Sequence, residues 1–478
     1  MTEKLGMTTS QNRILILASV GTFVEALDIA IINLTIPAIQ EQFAIDNDTV
    51  QWLQTLYVLF FGGFLIIGGK LTDQIGRRAM FLWGSSIFLL ASLGAGLANE
   101  FISLAVFRAL QGLGAALLMP ASLALVTHTF QEPKARSRAI GIFSSFAAIG
   151  SGAGLSVGGL ISTYWSWHWV FLINVPILGL TLLAALKFLP KDIKLTTNNP
   201  SDIFSGIILV LALLLLTFGL HDLIHFEERP YIITGCFIVS ILLISIFIRR
   251  LHTHETPLIQ PQIFNNTSLI ISNISFFLLG ALFIGFLFLV SLLLQKDLNY
   301  SAASAGLMLV PFSILSALIA KFAIPTITDR FTTPQVGILG MGFMFAGAAA
   351  LFTSIYVIPA LPFVLLGAAC ISGIGMTLCF TSLSVLGVKD VAKENYGIAS
   401  SLTSTTYFLG AGIGLSIMTL VDKLIPSNLA ASPVSLIVLG SYAMFGIGLL
   451  VFLNYSDNRK ISPAPSPVKQ AVSSQKTS

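Results

Sequence analysis

Three charged side chains lie in stretches that are otherwise almost wholly apolar. Glu25 and Asp28 fall within VEALDIAIINLTIP (Val24–Pro37), and Arg108 falls within LAVFRALQGLGAA (Leu104–Ala116). Glu25 and Asp28 are three residues apart, about 60° around a helix, so they share a face, with Gly21 and Thr35 near the same stripe. A carboxylate inside a membrane span costs about 2.5–3.5 kcal/mol even on lenient scales, so it is expected to face a cavity and to have a task. Loss of hydration and a like-charged neighbour both act on the proton equilibrium of such a group. The chemistry on offer is gain and release of a proton. Arg108 shares a helical face with Gln111 and Gly112 and needs an anionic partner, for which the acids at 25 and 28 are the nearest candidates in kind. The plainer alternatives are a purely structural acid–arginine pair, or an arginine bonded to backbone carbonyls.

Other candidate chemistry is sparse. HDLIHFEE (His221–Glu228) and HTHE (His252–Glu255) hold metal-ligand residue types without a recognisable site spacing, and both read as polar loops rather than metal sites. There is no nucleophile–base pattern, no Walker loop and no nucleic-acid module. The chain therefore reads as a non-enzyme without a cofactor, not driven by ATP.

The elements that carry these residues follow from composition. The chain has 478 residues, 55% hydrophobic and 10% charged, against about 25% charged in soluble domains. It reads as an all-α integral membrane protein. Apolar runs of about 20 residues long enough to cross a bilayer give fourteen predicted spans: 13–38, 50–69, 79–98, 101–127, 139–163, 169–189, 203–223, 230–248, 268–294, 304–327, 335–354, 358–386, 396–422 and 433–454. The first run is long, contains two acids and has no convincing cleavage site, so no cleavable signal is expected. The 25 lysines and arginines agree with this count. All fall on the side of the two termini except Arg229, Lys296 and Lys423, which lie opposite, and Arg108, inside a span. By the positive-inside rule, both termini are expected in the cytoplasm. Cys236, Cys370 and Cys379 lie in apolar runs and offer no disulfide framework.

A faint repeat divides the chain. GKLTDQIG (Gly69–Gly76) and PTITDRFT (Pro325–Thr332) both end a span, and their Thr-Asp pairs coincide (Thr72-Asp73, Thr328-Asp329). Spans 2 and 10 would then be equivalents in two six-helix sets, with spans 7 and 8 inserted. The expected division is 1–190, a first bundle; 191–260, the inserted pair and a linker; 261–455, a second bundle; and 456–478, a disordered cytoplasmic tail.

The motifs add a resemblance. GKLTDQIGRR (Gly69–Arg78) resembles the signature loop of the major facilitator superfamily, with Gly69, Asp73, Gly76, Arg77 and Arg78 in place and Gln74 where arginine is common. The resemblance implies that this cluster latches the cytoplasmic gate when the cavity faces outward, with Asp73 capping a helix start or pairing with Arg77 or Arg78. LAVFRALQGLGAA resembles the superfamily's span-four motif, which implies a proton-transfer role for Arg108. LDIAIINLTIP resembles the span-one signature of fourteen-span drug:proton antiporters at Leu27, Asp28, Asn33 and Pro37, with Ala30 departing. Gly150, Gly154, Gly158 and Gly159 resemble the antiporter motif of span 5, although Leu155 stands where that motif has proline. The same glycines also suit plain helix packing. WSWHWVFLINVP (Trp165–Pro176) resembles a stretch of fourteen-span exporters, with His168 replacing arginine, and equally suits an aromatic interfacial belt.

Together these imply the major facilitator fold and a proton-coupled multidrug exporter, driven by the proton gradient and working by alternating access. Its cargo would be lipophilic or cationic compounds. A proton-coupled importer or metabolite exporter, and more remotely a non-transporting sensor or scaffold, stay open. Gln54, Tyr57, Gln111, Asn273 and Tyr407 are candidate cavity residues, each also able to bond a neighbouring helix. The chain is expected in a bacterial inner membrane, by resemblance alone, as a monomer or weak oligomer that binds no nucleic acid.

Overall fold

The computed structural model describes residues 7–192, 202–356, 360–391, 396–425 and 432–461. The expected tail therefore lies largely outside the described residues, as do Lys4, Lys194, Lys393, Lys469 and Lys476. Among the described residues, fourteen helices are long and apolar enough to cross a membrane. They are span 1 (Thr9–Leu34), span 2 (Asn47–Ile75), span 3 (Arg77–Gly96), span 4 (Phe101–Thr129), span 5 (Arg138–Tyr164), span 6 (His168–Phe188) and span 7 (Ile203–His221). Span 8 (Pro230–Thr253), span 9 (Thr267–Asp297), span 10 (Ala302–Arg330), span 11 (Thr333–Tyr356), span 12 (Leu361–Val388), span 13 (Ile398–Leu424) and span 14 (Pro433–Ser456) follow.

Local chemistry sets several of the starts. The first amides of a helix lack intrahelical acceptors, and a short polar side chain supplies one. Thr8 and Gln11 form a reciprocal cap on span 1. Asp46 accepts from the Thr49 amide at 2.8 Å, and Asn266 and Ser301 cap spans 9 and 10 in the same way. The first span departs from the expected 13–38: the helix tightens to a 3₁₀ turn at Ile32–Leu34 and restarts at Ile36–Phe43. Pro37, which lacks an amide hydrogen, sits in the first turn of the new helix, where none is needed.

Within the first six spans, span 4 packs along spans 2 and 3, and span 1 lies along span 5. Within the last six, span 9 packs along spans 13 and 14, and span 11 along spans 14 and 12. Spans 7 and 8 pack on one another, and span 7 also lies against spans 2 and 13.

Two seams join the halves, spans 2 with 13 and spans 5 with 10. Both are shut at the end away from the termini, here called the far side. A methyl group built on Gly62 would meet Phe408 Cβ at 2.7 Å, and one on Gly412 would meet Leu59 at 2.9 Å. Nearer the termini, one on Gly69 finds its nearest neighbour, Ser401 Oγ, at 4.0 Å. The other seam tapers likewise: Gly159 abuts the Ala302 carbonyl (2.2 Å from an added methyl), Gly152 has Ser313 at 3.3 Å, and Gly141 has nothing within 4 Å. A cleft of about 570 Å³, lined among others by Gly69, Lys70, Asp73, Pro120, Ser400 and Ser404, opens toward the termini side.

Candidate functional site

Asp28 lies on span 1, one turn before the 3₁₀ turn at Ile32–Leu34, and Arg108 two turns into span 4. Neither is exposed to solvent. Arg108 Nη1 donates to Asp28 Oδ2 at 2.5 Å. The other carboxylate oxygen accepts from Gln111 Nε2 at 3.1 Å and from Asn174 Nδ2 of span 6 at 3.0 Å. Arg108 also donates through Nη1 to Gln111 Oε1 at 2.8 Å and through Nε to the Leu53 carbonyl of span 2 at 3.1 Å. Its guanidinium lies 4.3 Å from the centre of the Tyr57 ring. Gln111 in turn donates to Ser92 Oγ of span 3 at 2.8 Å. Spans 1, 2, 3, 4 and 6 therefore meet at one ion pair. Such a pair is tolerated in a dry interior when further hydrogen bonds take up most of its spare lone pairs and protons, and removing one partner strands the other charge.

Glu25, one turn toward the termini on the same helix, is also buried. Its Oε2 has no hydrogen-bond partner among the described residues, and the same holds for Arg108 Nη2, Tyr57 Oη and both polar atoms of Gln54. Buried polar atoms normally find partners, so these are the groups with capacity left for water, a proton or cargo.

The remaining expected site residues divide. Gln111 is not free to line a cavity, because both ends of its amide are engaged by the ion pair and Ser92. Asn273 donates to the Leu269 carbonyl and accepts from Thr406 of span 13, so it ties two helices together. Tyr407 packs its ring among Phe276, Phe380 and Phe408. Gly150, Gly154 and Gly158 let span 5 meet span 1 at Phe23, Leu27 and Ile31, while Gly159 faces Ala302 across the seam.

The signature loop differs from expectation. Gly76 adopts φ 124°, open to glycine alone, and ends span 2 so that span 3 begins at Arg77. The carboxylate at the start of span 3 is not that of Asp73. Asp192, just beyond span 6, accepts from the Arg78 amide at 3.0 Å and the Ala79 amide at 2.9 Å. Arg78 Nη2 reaches the Leu186 carbonyl at 2.9 Å. Asp73 instead lines the open cleft and, with Arg77, an adjoining hollow. With the termini side open, the cleft beside Asp73 is bordered across the seam by Ser400, Ser401 and Ser404.

Asn174, Ser92 and Asp192 were not singled out in the sequence. Asn174 had one usable signal, as the sole side-chain amide of span 6, in the INVP stretch. Among the described residues, no group of three or more His, Cys, Asp or Glu is placed to hold a metal ion.

Fourteen apolar helices among the described residues, in two halves closed at one end and parted at the other, with an ion pair buried inside the first half, have the architecture of a multi-pass membrane transporter. The chain belongs to the major facilitator superfamily, whose family model matches residues 18–415. The lincomycin resistance protein of Streptomyces lincolnensis is 32% identical over 316 residues, 66% of this chain and 65% of that one, so this chain spans just under two thirds of that relative. The cephamycin export protein CmcT of Amycolatopsis lactamdurans is 29% identical over 458 residues, 95% of this chain and 92% of that one. In fold, the chain is similar to the crystal structure of a D-xylose-proton symporter, with a TM-score of 0.63 at 15% identity, covering 92% of this chain and 96% of that one.

Proposed function

We propose that this chain is a proton-driven drug exporter in which Asp28, assisted by Glu25 and Arg108, exchanges a proton as the halves rock. The observation that carries this reading is the wholly buried Asp28–Arg108 pair with an unpartnered Glu25 carboxyl one turn away. Protonating Asp28 removes the charge that balances Arg108. The guanidinium then depends on the Leu53 carbonyl, Gln111 and the Tyr57 face, and spans 1, 2 and 4 gain a reason to shift. In the other direction, a cationic cargo near Glu25 would favour the ionised acid, so cargo and proton compete. The names of the lincomycin resistance and cephamycin export relatives support outward drug transport. Carboxylates and aromatic faces both attract positive charge, which suits lipophilic cations, and the electrical part of the gradient supplies about 2.3 kcal/mol per charge per 100 mV.

In this reading both termini are cytoplasmic, the cleft admits cargo from the cytoplasm or inner leaflet of a bacterial inner membrane, and the working unit is a monomer or weak oligomer without a cofactor. A second reading, a proton-coupled importer or exporter of one metabolite, draws on Leu155: without proline there, span 5 lies within one unbroken helix, Pro133–Tyr164. Loading membrane vesicles with a lipophilic cationic dye and imposing a pH gradient separates the readings. Gradient-driven efflux from the native chain, lost in Asp28→Asn, is expected. Equal gradient-driven efflux from both would remove Asp28 from the mechanism, and the absence of dye movement would favour the metabolite reading.

A further inference from the structure

At the far end of the seam between spans 2 and 13, five polar side chains from three spans join in one network. Lys423 Nζ of span 13 donates to Asp48 Oδ2 of span 2. One turn deeper, Thr419 Oγ1 donates to Gln51 Oε1 at 2.8 Å. These two bonds cross the seam. Behind them stands His221, the last residue of span 7, with its ring edge-on to Trp52 at 4.6 Å. Its Nδ1 lies 2.7 Å from Gln51 Nε2 and its Nε2 lies 3.2 Å from Asp48 Oδ2. The Asp48 carboxylate can only accept, so Nε2 carries the hydrogen it receives, and in the neutral ring Nδ1 then accepts from the Gln51 amide nitrogen.

We propose that His221 is a positioning residue of the far-side gate: it holds Asp48 and Gln51 so that they meet Lys423 and Thr419, and so makes the inserted spans part of alternating access. Among the described residues, both hydrogen-bond partners of His221 lie on span 2, so it acts on the seam through them. The rest of span 7 keeps it in register. Phe218 packs on Trp52 with ring centres 6.2 Å apart, Gly63 faces Val210, and Gly206 faces Ile67. Span 8 braces span 7 through Ser240 Oγ, which donates to the Ala212 carbonyl at 2.8 Å, and through Arg250, whose Nη2 donates to Asp202 at 2.8 Å. Opening the far side requires Asp48 to part from Lys423 and Gln51 from Thr419. Without the imidazole, both span-2 side chains are free to turn away.

The inference rests on the transporter reading alone, and its test needs neither cargo nor a proton gradient. Leu59, 1% exposed, is replaced by cysteine in a chain whose three native cysteines are serine. The rate of labelling by a membrane-impermeant maleimide is then followed in vesicles with the far side outward. His221→Ala should raise the rate about fivefold, a population shift equivalent to one hydrogen bond of ordinary net strength. His221→Gln, which keeps a donor and an acceptor, should restore most of the native rate. In a background carrying Lys423→Ala and Thr419→Val, already raised, His221→Ala should add nothing. If the alanine variant fails to fold, His221→Leu, which preserves packing against Trp52, serves in its place. A native labelling rate in the His221 variant overturns the proposal, and so does an equal further increase in the background that lacks Lys423 and Thr419.

Discussion

Arg108 and Asp28, eighty residues apart in sequence, meet at 2.5 Å with neither side chain exposed. Among the described residues, every further bond to the pair comes from the first six spans: Gln111, Asn174 and the Leu53 carbonyl. The charge pair therefore sits inside one half of the transporter, and a change in its protonation is first felt as a change in how spans 1, 2, 4 and 6 hold one another.

The stability of the pair and its use in transport are separable. Arg108→Ala leaves a buried carboxylate without its counter-charge, and such a loss costs about 3–5 kcal/mol. The combined change Asp28→Asn with Arg108→Gln removes both charges and should recover most of the native thermal stability in detergent, while gradient-driven efflux stays at background. Recovery of efflux in the double variant would show that the pair only fastens helices.

Span 5 owes its close approach to span 1 to Gly154. A side chain there would meet the Leu27 carbonyl at 2.6 Å and Ala30 Cβ at 2.8 Å, and overfilling a packed contact costs about 1–3 kcal/mol. Gly154→Val should lower the melting temperature of the purified protein by several degrees. Gly141→Val, where an added Cβ finds nothing within 4 Å, should not.

The cap on span 3 assigns different outcomes to two aspartates. Asp192→Asn weakens the acceptor for the Arg78 and Ala79 amides, a loss of about 0.5–2 kcal/mol on the usual scale for caps, visible as a lowered melting temperature. Asp73→Asn removes a carboxylate that lines the cleft, and should leave the melting temperature within a degree of native while changing efflux.

Asp202 gives a pH test outside the bilayer. Burial alone would raise its carboxyl, but the hydrogen bonds from Arg250 and Ser205 outweigh it and hold the group down at about 2. A folded value below the unfolded one, about 3.9, means that the contribution is fully present above pH 4 and is lost as pH falls toward 2. Asp202→Asn should therefore melt below the native protein at pH 7, with the gap narrowing below pH 4. A gap that widened on acidification would reverse the assignment.

How legible these features were follows from what each residue costs. Asp28 and Arg108 stood out because a charge in a membrane span is expensive and needs a partner. Asn174 and Ser92, neutral and cheap to bury, gave no such signal, although they complete the same network. The spans were visible because bilayer thickness fixes their length, whereas the break at Ile32–Leu34 depends on one proline and one threonine. The loop at Gly69–Arg78 was recognisable as a motif, but its capping acid lies more than a hundred residues away. No local pattern ties Asp192 to Arg78, or Lys423 to Asp48; only the packed fold does.

In the proposed mechanism the acids of span 1 surrender a proton when cargo binds. Purified protein in weakly buffered detergent with a pH indicator, titrated with a lipophilic cation, measures this directly. Proton release, as Asp28 passes from its protonated form to the ion pair with Arg108, should accompany binding in the native chain, shrink in Glu25→Gln and vanish in Asp28→Asn. Binding with no release, or with undiminished release from Asp28→Asn, would contradict the account.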